Sequence, residues 1–121
     1  MKLYQYPNCS TCRKAIKFLN QHEVTFDSIN ITQTPPTEVE LEIMLASYDG
    51  ELRKLFNTSG VQYRELKMKD RMPTITKKEA IELLADNGKL IKRPFLLNES
   101  ERGIVGFSEP EWLAFISSAR S

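Results

Sequence analysis

The spacing of apolar positions changes several times along this chain, and each change predicts an element. Residues 2–6 (KLYQY) are short and aromatic-rich and stop at Pro7-Asn8, which predicts a first strand and a turn. From Ser10 the spacing becomes helical: Ala15, Phe18 and Leu19 share one face, and Arg13, Lys14, Lys17 and Gln21 fall elsewhere. Residues 24–31 (VTFDSINI) return to alternation and predict a second strand.

Three later segments carry the same start signal, a hydroxyl residue followed three positions on by glutamate: Thr37 with Glu40, Thr76 with Glu79, and Ser108 with Glu111. The hydroxyl can accept from an early helix N–H while the carboxylate reaches back to the cap. Apolar residues at helical spacing follow each: Leu41, Met44, Leu45 and Tyr48; Ala80, Leu83 and Leu84; Trp112, Phe115 and Ile116. Gly50 and Gly88 are the expected C-terminal stops. Residues 51–56 and 62–66 predict shorter helical pieces on either side of the turn-like Asn57-Thr58-Ser59-Gly60.

After Gly88, the apolar runs 94–97 and 104–105 flank a polar turn at 98–103, which predicts an antiparallel hairpin. The order is β-α-β, a helical block, then β-β-α. That order predicts a mixed α/β fold in which strand pairs from both ends join one sheet. With no repeat, low-complexity tract or linker, one domain spanning 1–121 is expected.

Composition narrows the function classes. A net charge of +1 gives no broad attraction to nucleic acid or an anionic membrane, so neither is an expected partner. No apolar run approaches the roughly 20 residues that span a bilayer. The opening MKLYQYPNC lacks the zones of a secretory signal, so a cytoplasmic, monomeric protein is expected.

Both cysteines lie in YQYPNCSTCRKA, as Cys9 and Cys12. A zinc site needs about four ligands, and the single histidine, His22, leaves one chain short of them; a site shared between two chains stays open. A lasting structural disulfide is uncommon in the expected compartment. Inert packing beneath the sheet is a further reading. The redox reading has a positive physical case, because the pair follows a strand and opens a helix. Unpaired N–H groups and the helix dipole favour a thiolate there, with Arg13 and Lys14 adding charge. Cys9 is then the attacking thiolate and Cys12, one turn on, the resolving thiol. CxxC beside a βαβ pattern points to a thioredoxin-like site.

Three segments carry a wider resemblance: YPNCSTCRKA, FNTSGVQYREL and IKRPFLLNESERGIVGFSE. In order and spacing they resemble the ArsC/Spx family of glutaredoxin-coupled arsenate reductases, Spx-type transcription regulators and uncharacterised relatives. The middle segment looks closest to the uncharacterised reductase-like branch. The resemblance covers nearly the whole chain and implies a thioredoxin-like fold with an inserted helical block and a reactive Cys9. It implies substrate or anion contacts at Arg13 and Arg93, and a cis-proline at Pro94 opposite the cysteine. It also places Asn57 and Gly106 where the arsenate reductases carry two further anion-binding arginines. An oxyanion would lose the bidentate bonds that arginine supplies, although Arg64 or Arg102 could compensate.

The function expected from this resemblance is a thiol oxidoreductase with no bound cofactor, recycled by an external thiol system of glutathione/glutaredoxin or thioredoxin type. The alternative is an Spx-like redox-sensing regulator that docks on RNA polymerase. Among the remaining residues, Asn8 beside Cys9 is a candidate contact, and Asn57, Ser59 and Gly60 could form a backbone anion nest. His22 suits a helix C-terminus, and Trp112 suits the core. The basic stretch around Asp70, from Lys67 to Lys78, reads as a solvated face.

Overall fold

The computed structural model describes residues 1–120. Four short strands form one sheet: β1 (Lys2–Gln5), β2 (Asp27–Asn30), β3 (Phe95–Leu97) and β4 (Gly103–Val105), in the order β2-β1-β3-β4. β1 pairs parallel to β2 across helix α1 (Ser10–Gln21) and antiparallel to β3, which pairs antiparallel to β4. Strand alternation divides the core in two. Leu3, Leu96 and Ile104 face Ala15, Phe18 and Leu19 of α1, together with Trp112 and Ile116 of the last helix, α6 (Glu109–Arg120). Tyr4, Phe95 and Leu97 point the other way, into the helical block between β2 and β3. Consecutive side chains on a strand face opposite sides, so each apolar run fills two cores.

The inserted block comprises α2 (Glu38–Ser47), a 3₁₀ turn (Leu52–Leu55), α3 (Val61–Glu65), α4 (Met68–Arg71), α5 (Lys77–Asp86) and a second 3₁₀ turn (Gly88–Leu90). Thr37 and Glu40 make the expected reciprocal cap on α2, and the Glu79 N–H donates to Thr76 Oγ1 at the start of α5. α2 stops as expected beside Gly50: the Asp49 N–H donates to Ala46 O, the Gly50 N–H to Leu45 O, and both residues have positive φ.

Gly88 differs from expectation. The helix cap is Asn87, and Gly88 opens the second 3₁₀ turn, buried against the Ile31 carbonyl so closely that a Cβ would collide with that oxygen. This glycine serves a close approach of two backbones, not a helix stop. The basic stretch is solvent-exposed as read, except that Met68 within it is fully buried and draws α4 onto the core. Among the described residues no helix is long and apolar enough to cross a membrane.

The register fixes which end of the sheet matters. Tyr4, Phe95 and Val105 stand in line across β1, β3 and β4. Beyond them come the turn to Cys9, the Arg93-Pro94 pair and Gly106. The opposite end holds Lys2, Leu97, Gly103 and the hairpin turn.

Candidate active site around Cys9

After β1 the chain makes a tight turn through the exposed Pro7 and Asn8, closed by the Cys9 N–H donating to Tyr6 O at 3.1 Å. Cys9 is left in extended conformation (φ −105°, ψ 114°) as the N-cap of α1. Its carbonyl accepts from the Arg13 N–H, which begins the helical ladder, and its sulfur accepts from the Cys12 N–H at 3.3 Å. A thiol therefore occupies the position usually held by a Ser or Asp oxygen, facing amides that have no partner within the helix. Cys12 lies one turn on and is fully buried, whereas Cys9 is half-exposed.

The two thiols are pulled apart electrostatically. Burial alone would raise the Cys9 pKa. The Cys12 thiol and amide, the Arg93 charge and the Thr11 amide outweigh it and hold Cys9 below its ordinary value. Burial pushes Cys12 up to about 12, helped by donation of its thiol proton to Cys9 and by the negative charge there; the Tyr6 backbone and Arg93 oppose this. Cys9 is thus the more exposed and the more readily ionised thiol of the pair.

The facing wall comes from the start of β3. The Arg93–Pro94 bond is cis, and Pro94 O accepts from the Gly106 N–H at 2.9 Å. The Arg93 guanidinium donates to Lys89 O at 3.2 Å and lies over the Tyr6 ring, 5.1 Å from its centroid. Tyr6 is the neighbour that reading the sequence missed. Its one visible signal is its place three residues before Cys9, since its partner Arg93 lies far along the chain.

The other candidates are placed differently. Arg13 Nη1 donates to Pro7 O at 2.9 Å, and among the described side chains it is the Arg93 charge that favours the thiolate at both cysteines. In the 57–60 turn, the Asn57 N–H goes to Leu90 O, the Thr58 N–H to Phe56 O and the Gly60 N–H to Asn57 O. Those amides are spent within the chain and do not converge on an anion. Ser59 is exposed, and its carbonyl accepts from Arg64 Nη1 at 3.4 Å, so Arg64 closes its own turn. Arg102 stands on the hairpin turn, at the far end of the sheet from Cys9. Gly106 has φ +69°, and a Cβ there would lie 3.3 Å from Lys92 Cε, so this backbone does not favour an arginine. Its carbonyl accepts from Trp112 Nε1 at 2.7 Å, anchoring the tryptophan expected in the core. His22 is the C-cap of α1, its ring 4.3 Å from that of Phe18.

A four-stranded mixed sheet, a CxxC pair opening the first helix and a cis-proline before the third strand together define a thioredoxin-like protein. The ArsC family signature matches residues 4–115, and the chain belongs to that family. It is 42% identical over 112 residues to the uncharacterised protein YusI of Bacillus subtilis, covering 93% of this chain and 94% of that one. It is 32% identical over 117 residues to the global transcriptional regulator Spx of Enterococcus faecalis, covering 96% and 86% respectively. A solved structure of a possible arsenate reductase from Streptococcus mutans superposes with a TM-score of 0.85 at 39% identity, covering 93% and 96% of the two chains.

Proposed function

We propose that this protein is a thiol–disulfide oxidoreductase in which Cys9 attacks a small disulfide such as a glutathione mixed disulfide. The observation that carries the reading is the Cys9 sulfur at the α1 N-cap, accepting the Cys12 amide with the buried Cys12 thiol behind it. In the first step the Cys9 thiolate bonds to one sulfur of the substrate, and the other sulfur leaves as a thiolate that takes a proton from solvent. The Cys12 thiol then loses its proton and attacks Cys9 Sγ. The second half of the substrate leaves as a thiolate that takes up a proton, and the two electrons that reduce the substrate disulfide come from oxidation of the Cys9 and Cys12 thiols to the Cys9–Cys12 disulfide. An external thiol system returns both cysteines to the dithiol. The elevated Cys12 pKa suits this order, because Cys12 stays protonated, donating to Cys9, until Cys9 has lost its negative charge to a bond.

An oxyanion is a poorer substrate for this site. Arg93 stands over Tyr6, while Asn57 and Gly106 hold the two positions where the resemblance expects arginines. The deciding experiment compares turnover of a glutathione mixed disulfide and of arsenate in wild type and Cys9→Ser. Mixed-disulfide turnover that Cys9→Ser abolishes, with little or no arsenate reduction, is expected. Efficient arsenate turnover, or mixed-disulfide turnover surviving Cys9→Ser, would overturn the reading.

A second reading is favoured by the 32% identity to Spx: a regulator whose Cys9–Cys12 pair switches its binding to RNA polymerase. Pull-downs from reduced and oxidised extract separate the two. A polymerase subunit captured in one redox state, with no turnover, supports the regulator; its absence from both removes it.

A further inference from the structure

Tyr6 meets the thiol site three times. Its carbonyl accepts the Cys9 N–H that closes the turn into α1. Its backbone also bears on the buried Cys12 thiol, opposing the rise in its pKa. Its ring, half-buried against the larger core, lies under the Arg93 guanidinium, 5.1 Å from centroid to Cζ. Arg93 is half-exposed and has four rotatable bonds before its charged group, and such a side chain has little reason to stay near one point. Its bond to Lys89 O restrains one nitrogen only. A ring face beneath the planar guanidinium restrains the plane itself. Packing fixes the ring in turn, because Tyr6 follows β1 directly and leans on the same core as Tyr4 and Phe95.

We propose that Tyr6 is a positioning residue for the thiol chemistry: its aromatic face holds the Arg93 guanidinium beside Cys9 and Cys12. Among the described side chains, Arg93 is the cation whose charge bears on both sulfurs. This one aromatic platform keeps the long Arg93 side chain in place. The ring face does the work and the hydroxyl does not, so phenylalanine substitutes for tyrosine. The inference rests on the oxidoreductase reading only for the reaction that the arrangement serves.

The test is the pH dependence of Cys9 alkylation by iodoacetamide in full-length Tyr6→Phe, Tyr6→Leu, Arg93→Ala and the Tyr6→Leu/Arg93→Ala double variant. Circular dichroism checks that each is folded. Tyr6→Phe is expected to keep the wild-type profile. Tyr6→Leu and Arg93→Ala are each expected to move the Cys9 midpoint upward and slow alkylation at neutral pH. The double variant should be no slower than Arg93→Ala alone. A wild-type profile for Tyr6→Leu, a Tyr6→Phe profile matching Tyr6→Leu, or a further shift in the double variant would each overturn the proposal. Because alkylation needs no substrate turnover, a protein that turns over no disulfide yet shows the expected pattern would sink the oxidoreductase reading and leave this one standing.

Discussion

Replacing Cys12 by serine keeps an N–H on the Cys9 sulfur but removes the thiol that would release a bound substrate. Cys12→Ser incubated with oxidised glutathione should therefore accumulate a mixed disulfide at Cys9, read by mass spectrometry as one added glutathionyl group. Little accumulation in wild type is expected, because Cys12 resolves it. The two ionisations give a second prediction. Cys9 lies below its ordinary value and Cys12 rises to about 12, so alkylation at pH 7–9 should mark Cys9 almost alone. Peptide mapping that found the two labelled equally would contradict the assignment of roles. The cysteine pair could be read from the sequence because spacing, strand and helix start are all local. Tyr6 could not, since its role depends on a tertiary contact with Arg93. Nor could the direction of Arg13, whose guanidinium is taken by the nearby Pro7 carbonyl.

At the scale of elements, Glu40 ties α2 to β1. Its carboxylate accepts from Tyr4 Oη at 2.7 Å, Lys2 Nζ at 3.1 Å and the Thr37 N–H at 3.0 Å. Burial would raise its pKa, but the Thr37 amide, Tyr4 and Lys2 outweigh it and hold the group below the usual carboxylate value. Its stabilisation is therefore complete above the unfolded-state value of about 4.3 and is lost as pH falls through the lower folded-state value. Glu40→Gln should flatten the acid arm of the stability curve in that window while lowering stability at neutral pH, as urea midpoints would show. Gly88→Ala places a Cβ against Ile31 O and should cost about 3 kcal/mol, within the range for overpacked interiors. The helix starts at Thr37 and Thr76 were legible because a cap is a short-range motif. The end of α1 was not marked by glycine: Glu23 takes the left-handed position (φ 56°), and the Val24 N–H closes onto Leu19 O. α4 escaped notice because one buried methionine in four residues sets up no period.

For the whole molecule, the order of strands and helices was legible because each half of the fold is built from local units with clear apolar spacing. The way the inserted block leans on the sheet was not, since it depends on contacts such as Tyr4 Oη with Glu40 and the Val105 N–H with Tyr48 Oη. The sheet ends at β2 on one side and β4 on the other, and these two margins differ. On β4, the outward N–H groups of Gly103 and Val105 donate to Ser47 Oγ at 2.9 Å and Tyr48 Oη at 3.0 Å, hydroxyls at the end of α2. Among the described residues β2 has no such cover, and its Asp27 and Ser28 are exposed. In the language of polymerisation, the molecule has one end at which a strand can be added and one that is already terminated. Removing both terminating hydroxyls, with Ser47→Ala and Tyr48→Phe, should leave two β4 amides without acceptors and open that margin to strand addition as well. Sedimentation of concentrated samples would then show larger assemblies in the double variant than in wild type.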